Sequence, residues 1–132
     1  RALELYLQNY NLNYKIDFVS LRFSNVYGPR DYPESDHIIP MLIKDLMKDK
    51  RPTITGNGSQ ARDFIFVGDV VDAVILALDK DPKEKFINIG SEEITDINSL
   101  FNMIKDILNV DLNPKYSQER KGEVKNRHYK ND

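Results

Sequence analysis

Ile16 to Phe23 (IDFVSLRF) is a run rich in β-branched and aromatic side chains that ends where Gly28 and Pro29 force the chain into a loop. It has the length of a buried strand. Strand-like and helix-like patterns alternate on both sides of it. Residues 2–10 carry Ala2, Leu3, Leu5, Tyr6, Leu7 and Tyr10 at helical spacing, and Asn11 and Asn13 then break the pattern. Segment 38–48 (IIPMLIKDLMK) predicts a helix with a broad apolar face, with Pro40 tolerated in its first turn. A short strand is expected at 53–55, a turn at Gly56-Asn57-Gly58-Ser59 and a second strand at 63–67. Asp69 is placed to cap a helix over 70–79, with Val70, Val71, Val74, Ile75 and Leu78 as its buried stripe and Asp81-Pro82 as its stop. Phe86 to Ile89 reads as a strand. Thr95 or Asp96 then caps a helix over 97–108, where Ile97, Leu100, Phe101, Ile104, Ile107 and Leu108 recur at three and four. From 109 onward the chain is polar, with a basic stretch from Arg120 to Lys130, and is expected to be mostly irregular. The expected class is α+β, with four helices and short strands.

Composition narrows the possible partners. A chain of 132 residues with 40% hydrophobic content supports one packed core. Its 19 basic and 21 acidic residues are interspersed, so no single-sign block offers itself to nucleic acid or to a membrane surface. An anion would have to be held by a few placed residues. The absence of cysteine excludes a disulfide framework and a cysteine metal site, and fits a reducing, cytoplasmic location. His37 and His128 are too far apart for a local metal motif. No run approaches the roughly 20 apolar residues of a membrane span. The chain opens on Arg1 inside a helical pattern and stops on Asp132, a residue type suited to starting a helix, so a fragment is expected.

Four local patterns follow in order. Leu21 to Arg30 (LRFSNVYGPR) carries a strand into a loop that presents an amide and a guanidinium, just past a strand end where α/β sheets bind ligands. A turn with a capping Asn is the plainer reading. Gly56 to Val70 (GNGSQARDFIFVGDV) contains a Gly-x-Gly followed by a strand instead of a helix, so these are turn glycines and not a dinucleotide phosphate loop. Within it, Arg62 either pairs with Asp63 or another carboxylate, or forks onto a diphosphate. Phe86 to Ser91 (FINIGS) is strand and turn. Arg120 to Val124 (RKGEV) places an Arg and a Glu about a Gly, a pattern that alone means solvated surface.

In this order and spacing the four patterns resemble the extended short-chain dehydrogenase/reductase family, and within it the NAD-dependent nucleotide-sugar epimerases and dehydratases of the UDP-glucose 4-epimerase type. The resemblance covers almost the whole chain, and the string from Gly56 to Val70 is its most specific part. It implies an α/β, Rossmann-type parent in which Ala2 and Glu4 follow the catalytic Lys of a Tyr-x-x-x-Lys pair. The NAD-binding glycine turn, the catalytic Ser or Thr, and the Tyr and Lys would then precede Arg1. On that reading residues 1–30 are a remnant of the Rossmann domain, a helix and an edge strand, and residues 31–132 are a C-terminal nucleotide-sugar-binding domain. No residue of the chain is catalytic, and none is expected to hold NAD.

The same resemblance implies that Tyr takes a proton from a sugar hydroxyl, that Lys lowers its pKa, and that NAD accepts hydride at C4 of the sugar. It matches Asn25 and Arg62 to diphosphate contacts and Arg120 to a second Arg on the same group. Glu123 matches an acidic residue on the ribose hydroxyls. His37 and Ile38 match positions that contact the nucleotide at the start of a helix, and Thr53 and Thr55 match the strand lining the base pocket. Several relatives place an aromatic residue at the Thr55 position, so the base stays open here. Tyr27, Arg30 and Asp69 are assigned to loop packing, an ion pair and an N-cap. The implied partner is a UDP-sugar or related nucleotide-sugar, and the implied parent is a homodimer. A nucleotide-sugar 4,6-dehydratase or a decarboxylase of the same family is the alternative activity. A non-catalytic nucleotide-sugar-binding or NAD-sensing protein on this fold is the alternative of another class.

Overall fold

The computed structural model describes residues 2–32 and 34–119. Among them are four helices, α1 (Ala2–Tyr14), α2 (Ile38–Leu46), α3 (Val67–Lys80) and α4 (Ile97–Leu108). The strands are β1 (Ser20–Phe23), β2 (Asn25–Tyr27), β3 (Thr53–Thr55), β4 (Ala61–Phe66), β5 (Phe86–Ile89), β6 (Ile94–Asp96) and β7 (Lys115–Ser117). This is the predicted α+β class. β1 runs parallel to β5, β2 parallel to β4 and β3 parallel to β7. β6 joins the other edge of β4 antiparallel, with Ala61 opposite Asp96. Parallel neighbours need a crossover connection, and in chain order α2 lies between β2 and β4 and α3 between β4 and β5.

Several elements differ from their sequence-based expectation. α1 passes Asn11 and Asn13 because both side chains bond carbonyls, Asn13 to Asn9 O and Asn11 to Ile16 O. It ends one residue before Lys15, whose φ of 57° leaves the helical region. The strand expected over 16–23 is confined to Ser20–Phe23, the part with β5 beside it. Asn25 to Tyr27 is strand and not loop, since β4 lies alongside. β6 and β7 were not expected at all; each is three residues long and paired with a distant segment. α3 begins at Val67 with Phe66 in the N-cap position, so Asp69 is not the cap. It sits in the first turn, where its charge complements the helix dipole.

One core is formed by α2, α4 and β3. Leu42, Leu46, Ile54, Ile97, Leu100, Phe101 and Ile104 are buried against one another. Each is worth about 1.5–3 kcal/mol relative to exposure. The three-and-four repeat of α4 predicts this inward face, and Ile107 falls outside it. The α3 stripe behaves otherwise: no α3 residue is buried, and Val71, Ile75 and Leu78 are exposed, Leu78 at 78%. Those side chains turn away from the α2–α4 core, so the expectation of a buried stripe does not hold within this chain. α1 likewise buries nothing, with Leu3, Leu5 and Leu12 exposed. It is tied to β1 by Glu4, whose Oε1 accepts from Arg22 Nε at 2.6 Å, while the Arg22 guanidinium lies 5.2 Å over the Phe86 ring. Among the described residues no helix is long and apolar enough to cross a membrane.

α4 starts on a true N-cap. Asp96 has extended backbone and accepts from Ser99 N–H at 3.1 Å, while the Ser99 hydroxyl donates to its other oxygen. The Ser99 hydroxyl first, and the Ser99 N–H second, hold the Asp96 carboxyl below its ordinary value. A depressed carboxyl contributes stability that is complete above the unfolded-chain value of about 3.9 and lost as pH falls through the lower folded value. Asp96→Ala is therefore expected to cost about 1 kcal/mol at neutral pH, and that difference should shrink steadily below about pH 4. Thermal melts of both proteins at a series of pH values check it, and a gap unchanged down to pH 2 contradicts the cap.

Candidate functional site

The site grows from the junction between β1 and β2. Ser24 follows β1 directly and its N–H donates to Ile89 O, which holds the chain beside β5 as it turns into β2. Asn25 then lies opposite Phe64, and its Nδ2 donates to Asp63 O at 2.8 Å. That bond uses one amide hydrogen and leaves the second for an acceptor in front of the strand. Tyr27 packs its ring 5.8 Å from that of Phe66, the loop-packing role expected of it. Gly28 has φ of 149° and lies against Val67, where an added Cβ would come within 2.5 Å of Cγ1. Arg30 is exposed, with φ of 70° in the turn after Gly28, and the ion pair assigned to it is not found among the described residues.

The loop that follows is organised by Asp31. Its Oδ1 accepts from Ser35 Oγ at 3.3 Å and contacts His37 Nδ1 at 2.9 Å. His37 occupies the N-cap position of α2 with extended backbone, yet its side chain makes no cap bond and turns to Asp31 instead. Further along, β3 alternates as a strand packed on a core must: Ile54 is buried behind, and Thr53 and Thr55 face forward. Gln60 Nε2 donates to Thr55 O at 2.8 Å and closes the turn between β3 and β4.

β4 supplies the guanidinium. Successive strand residues point to opposite faces, so Arg62 and Asp63 part company. Asp63 is 2% exposed and its Oδ1 accepts from Ser91 N–H and Ser91 Oγ. Arg62 and Asp63 therefore do not pair with each other. Arg62 is half-buried on the opposite face, where Nη1 donates to Ala61 O at 2.8 Å.

Asn25, His37, Ile38, Thr53, Thr55 and Arg62 all line one cavity of about 610 Å³. The two remaining candidates, Arg120 and Glu123, lie outside the described residues. Apolar wall comes from Ile39, Met41, Phe64 and Ile97, and further polar groups from Ser24, Asp31, Asp36 and Gln60. These four polar residues escaped the sequence reading. Gln60 sits inside the most specific string; Asp31 carries no local signal, because its partner is in another turn of the same loop. Ser24 Oγ and Asp31 Oδ2 are buried with no hydrogen-bond partner.

The cavity has the volume of a small-molecule site and a wall that is part apolar, part convergent polar. A guanidinium and an amide suit an anion. The carboxylates of Asp31 and Asp36 suit hydroxyl or N–H donors. The Gly56-Asn57-Gly58 turn leads into β4, and an added Cβ on Gly58 would meet Asn98 Oδ1 at 2.0 Å, so that turn is packed by a side chain and is not a phosphate cradle. Among the described residues no group of three His, Cys, Asp or Glu could hold a metal ion.

The molecule is thus an α+β unit with a cavity whose wall offers groups suited to an anion and to hydroxyl donors. Residues 1–90 match the NAD dependent epimerase/dehydratase family, and the chain belongs to it. A Methanocaldococcus jannaschii protein provisionally named a UDP-glucose 4-epimerase is 39% identical over 122 residues, covering 92% of this chain and 39% of its own. The dTDP-D-glucose 4,6-dehydratase of Mus musculus is 40% identical over 90 residues, 68% of this chain and 25% of its own. The crystal structure of UDP-glucose 4-epimerase with UDP-glucose from Thermotoga maritima superimposes with a TM-score of 0.92 at 33% identity, covering 98% of this chain and 42% of that one. The chain therefore spans about two fifths or less of the length of these relatives.

Gly28 follows the cavity-lining Tyr27 and has no room for a side chain. Gly28→Ala is expected to destabilise the protein by about 1–3 kcal/mol, since Val67 must move and the backbone sits in a region other residues avoid. Denaturant titration measures it, and a loss under 0.5 kcal/mol would contradict the packing on α3, the lower edge of an ordinary destabilising change being about that size.

Proposed function

We propose that this chain is the nucleotide-sugar-binding part of an NAD-dependent epimerase acting on a UDP-sugar or closely related nucleotide-sugar. The observation that carries the reading is the convergence of Asn25, His37, Ile38, Thr53, Thr55 and Arg62, drawn from four separate segments, on one cavity. On this reading Asn25 and Arg62 grip the diphosphate, with Arg120 as a second guanidinium. His37 and Ile38 contact the nucleotide at the start of α2. Thr53 and Thr55 line the base pocket, and Glu123 accepts from the ribose hydroxyls. Residues 31–132 act as the substrate domain, and residues 1–30 belong with the cofactor domain of the whole protein.

The chemistry of the whole protein is proposed to lie elsewhere. On this reading the Tyr–Lys pair lies outside residues 1–132, in whose sequence no Tyr-x-x-x-Lys pattern occurs. NAD is accordingly assigned to a part of the protein other than residues 1–132, and the isolated chain is expected to bind no NAD and turn over no sugar nucleotide. The exposed leucines of α1 support a homodimer of the whole protein. A cytoplasmic place in carbohydrate metabolism belongs to the same reading. A 4,6-dehydratase is the second reading, favoured by the 40% identity to the murine enzyme.

Kinetics of the full-length protein test the grip. Arg62→Ala and Arg120→Ala are each expected to cost about 1.5–3 kcal/mol of substrate binding, the range for a hydrogen bond to a charged group. The loss should appear as a raised KM with NAD affinity unchanged. Glu123→Gln should cost less, because the amide keeps an acceptor for a ribose hydroxyl. An unchanged KM in Arg62→Ala removes the diphosphate role.

A further inference from the structure

Asp63 does nothing in the function described so far, and among the described residues it is the one buried side chain that is polar or charged. Burying a carboxyl is costly unless its oxygens are bonded. Here Oδ1 accepts twice from Ser91, from N–H at 2.9 Å and from Oγ at 2.8 Å, while Oδ2 has no partner. Gly90 roofs it so closely that an added Cβ would stand 2.1 Å from Oδ2. The carbonyl of the same residue accepts from Asn25 Nδ2, and the residue before it is Arg62. Asp63 thus joins three segments: β2 through its carbonyl, the turn after β5 through its carboxyl, and β4 through its own backbone.

We propose that Asp63 is a positioning residue for the anion grip. Its carboxyl, clasped by Ser91 and roofed by Gly90, holds β4 against the end of β5, so that Arg62 and the Asn25 amide face the cavity at a set separation. The inference rests on the reading of the cavity as a nucleotide-diphosphate site. It assigns a role to Ser91 and Gly90 as well, although neither lines the cavity. A core acceptor serving only the fold would have no reason to act on ligand affinity through Arg62.

Calorimetric titration of UDP into the full-length protein tests this. Ser91→Ala removes one donor and leaves the backbone N–H, so the fold should survive while UDP affinity falls about three- to tenfold, the scale of one hydrogen bond. Asp63→Asn keeps an Oδ1 acceptor and should stay within about twofold of the parent, whereas Asp63→Ala should lose at least as much as Ser91→Ala. The deciding measurement is a cycle: in an Arg62→Ala background, Ser91→Ala should cost less than about twofold, because the group it positions is gone. A full and additive loss in that background, or a lowered Tm with unchanged UDP affinity in Ser91→Ala, overturns the positioning role while leaving the site reading intact. Failure of the parent protein to bind UDP, or unaltered binding in Arg62→Ala, overturns the site reading and this inference with it.

Discussion

Asn25 and Arg62 reach one cavity only because β2 and β4 lie side by side in parallel, with Asn25 opposite Phe64 and one shared hydrogen bond from the Asn25 amide to the Asp63 carbonyl. A parallel pair cannot be closed by a tight turn, so the chain must travel away and come back. α2 forms part of that excursion, and its start brings His37 and Ile38 to the same cavity while its apolar face enters the core with α4. The crossover that the pairing demands is therefore also the second wall of the site. β3, on the way back, adds Thr53 and Thr55 by the plain alternation of a strand whose Ile54 is needed behind it.

What was legible in the sequence follows from how local each signal is. α4 repeats its apolar residues at three and four and ends in the core as expected, and Asp96 caps it because an N-cap is decided by the three residues that follow. β2, β6 and β7 were not legible, since three residues of mixed polarity acquire strand geometry only from a partner far along the chain. The stripe of α3 was legible as apolar and misread as buried here, because periodicity reports that a face is meant to be covered without reporting by what. Of the site, Arg62 and Asn25 stood out through the long string and the loop in which they lie. Asp31 and Asp63 did not, because their roles arise from bonds to His37 and Ser91 that no local pattern announces.

The two faces of β4 divide the labour of the molecule. One face carries Arg62 to the cavity; the other buries Asp63 and Ile65. A one-residue slip would exchange them, placing a guanidinium in the interior and a carboxylate before an anion. The antiparallel pairing with β6 on the far edge, and the Ser91 clasp on the Asp63 face, both resist such a slip.

The parallel pairings also say something about time. Ser20 must meet Phe86, Asn25 must meet Phe64, and Thr53 must meet Lys115, so each ladder waits on the closure of a long stretch of chain. β4 with β6, where Ala61 meets Asp96, is hardly more local than β2 with β4. Non-local pairings of this kind slow folding, while α2 and α4 form from neighbouring residues within microseconds. The cavity wall made by β3 is fastened by β7, near the end of the described chain, and so is completed late. During synthesis the helices are available before the segment that closes the site, and a partly folded chain carries the apolar surfaces of α1 and α3 without a cavity able to take ligand.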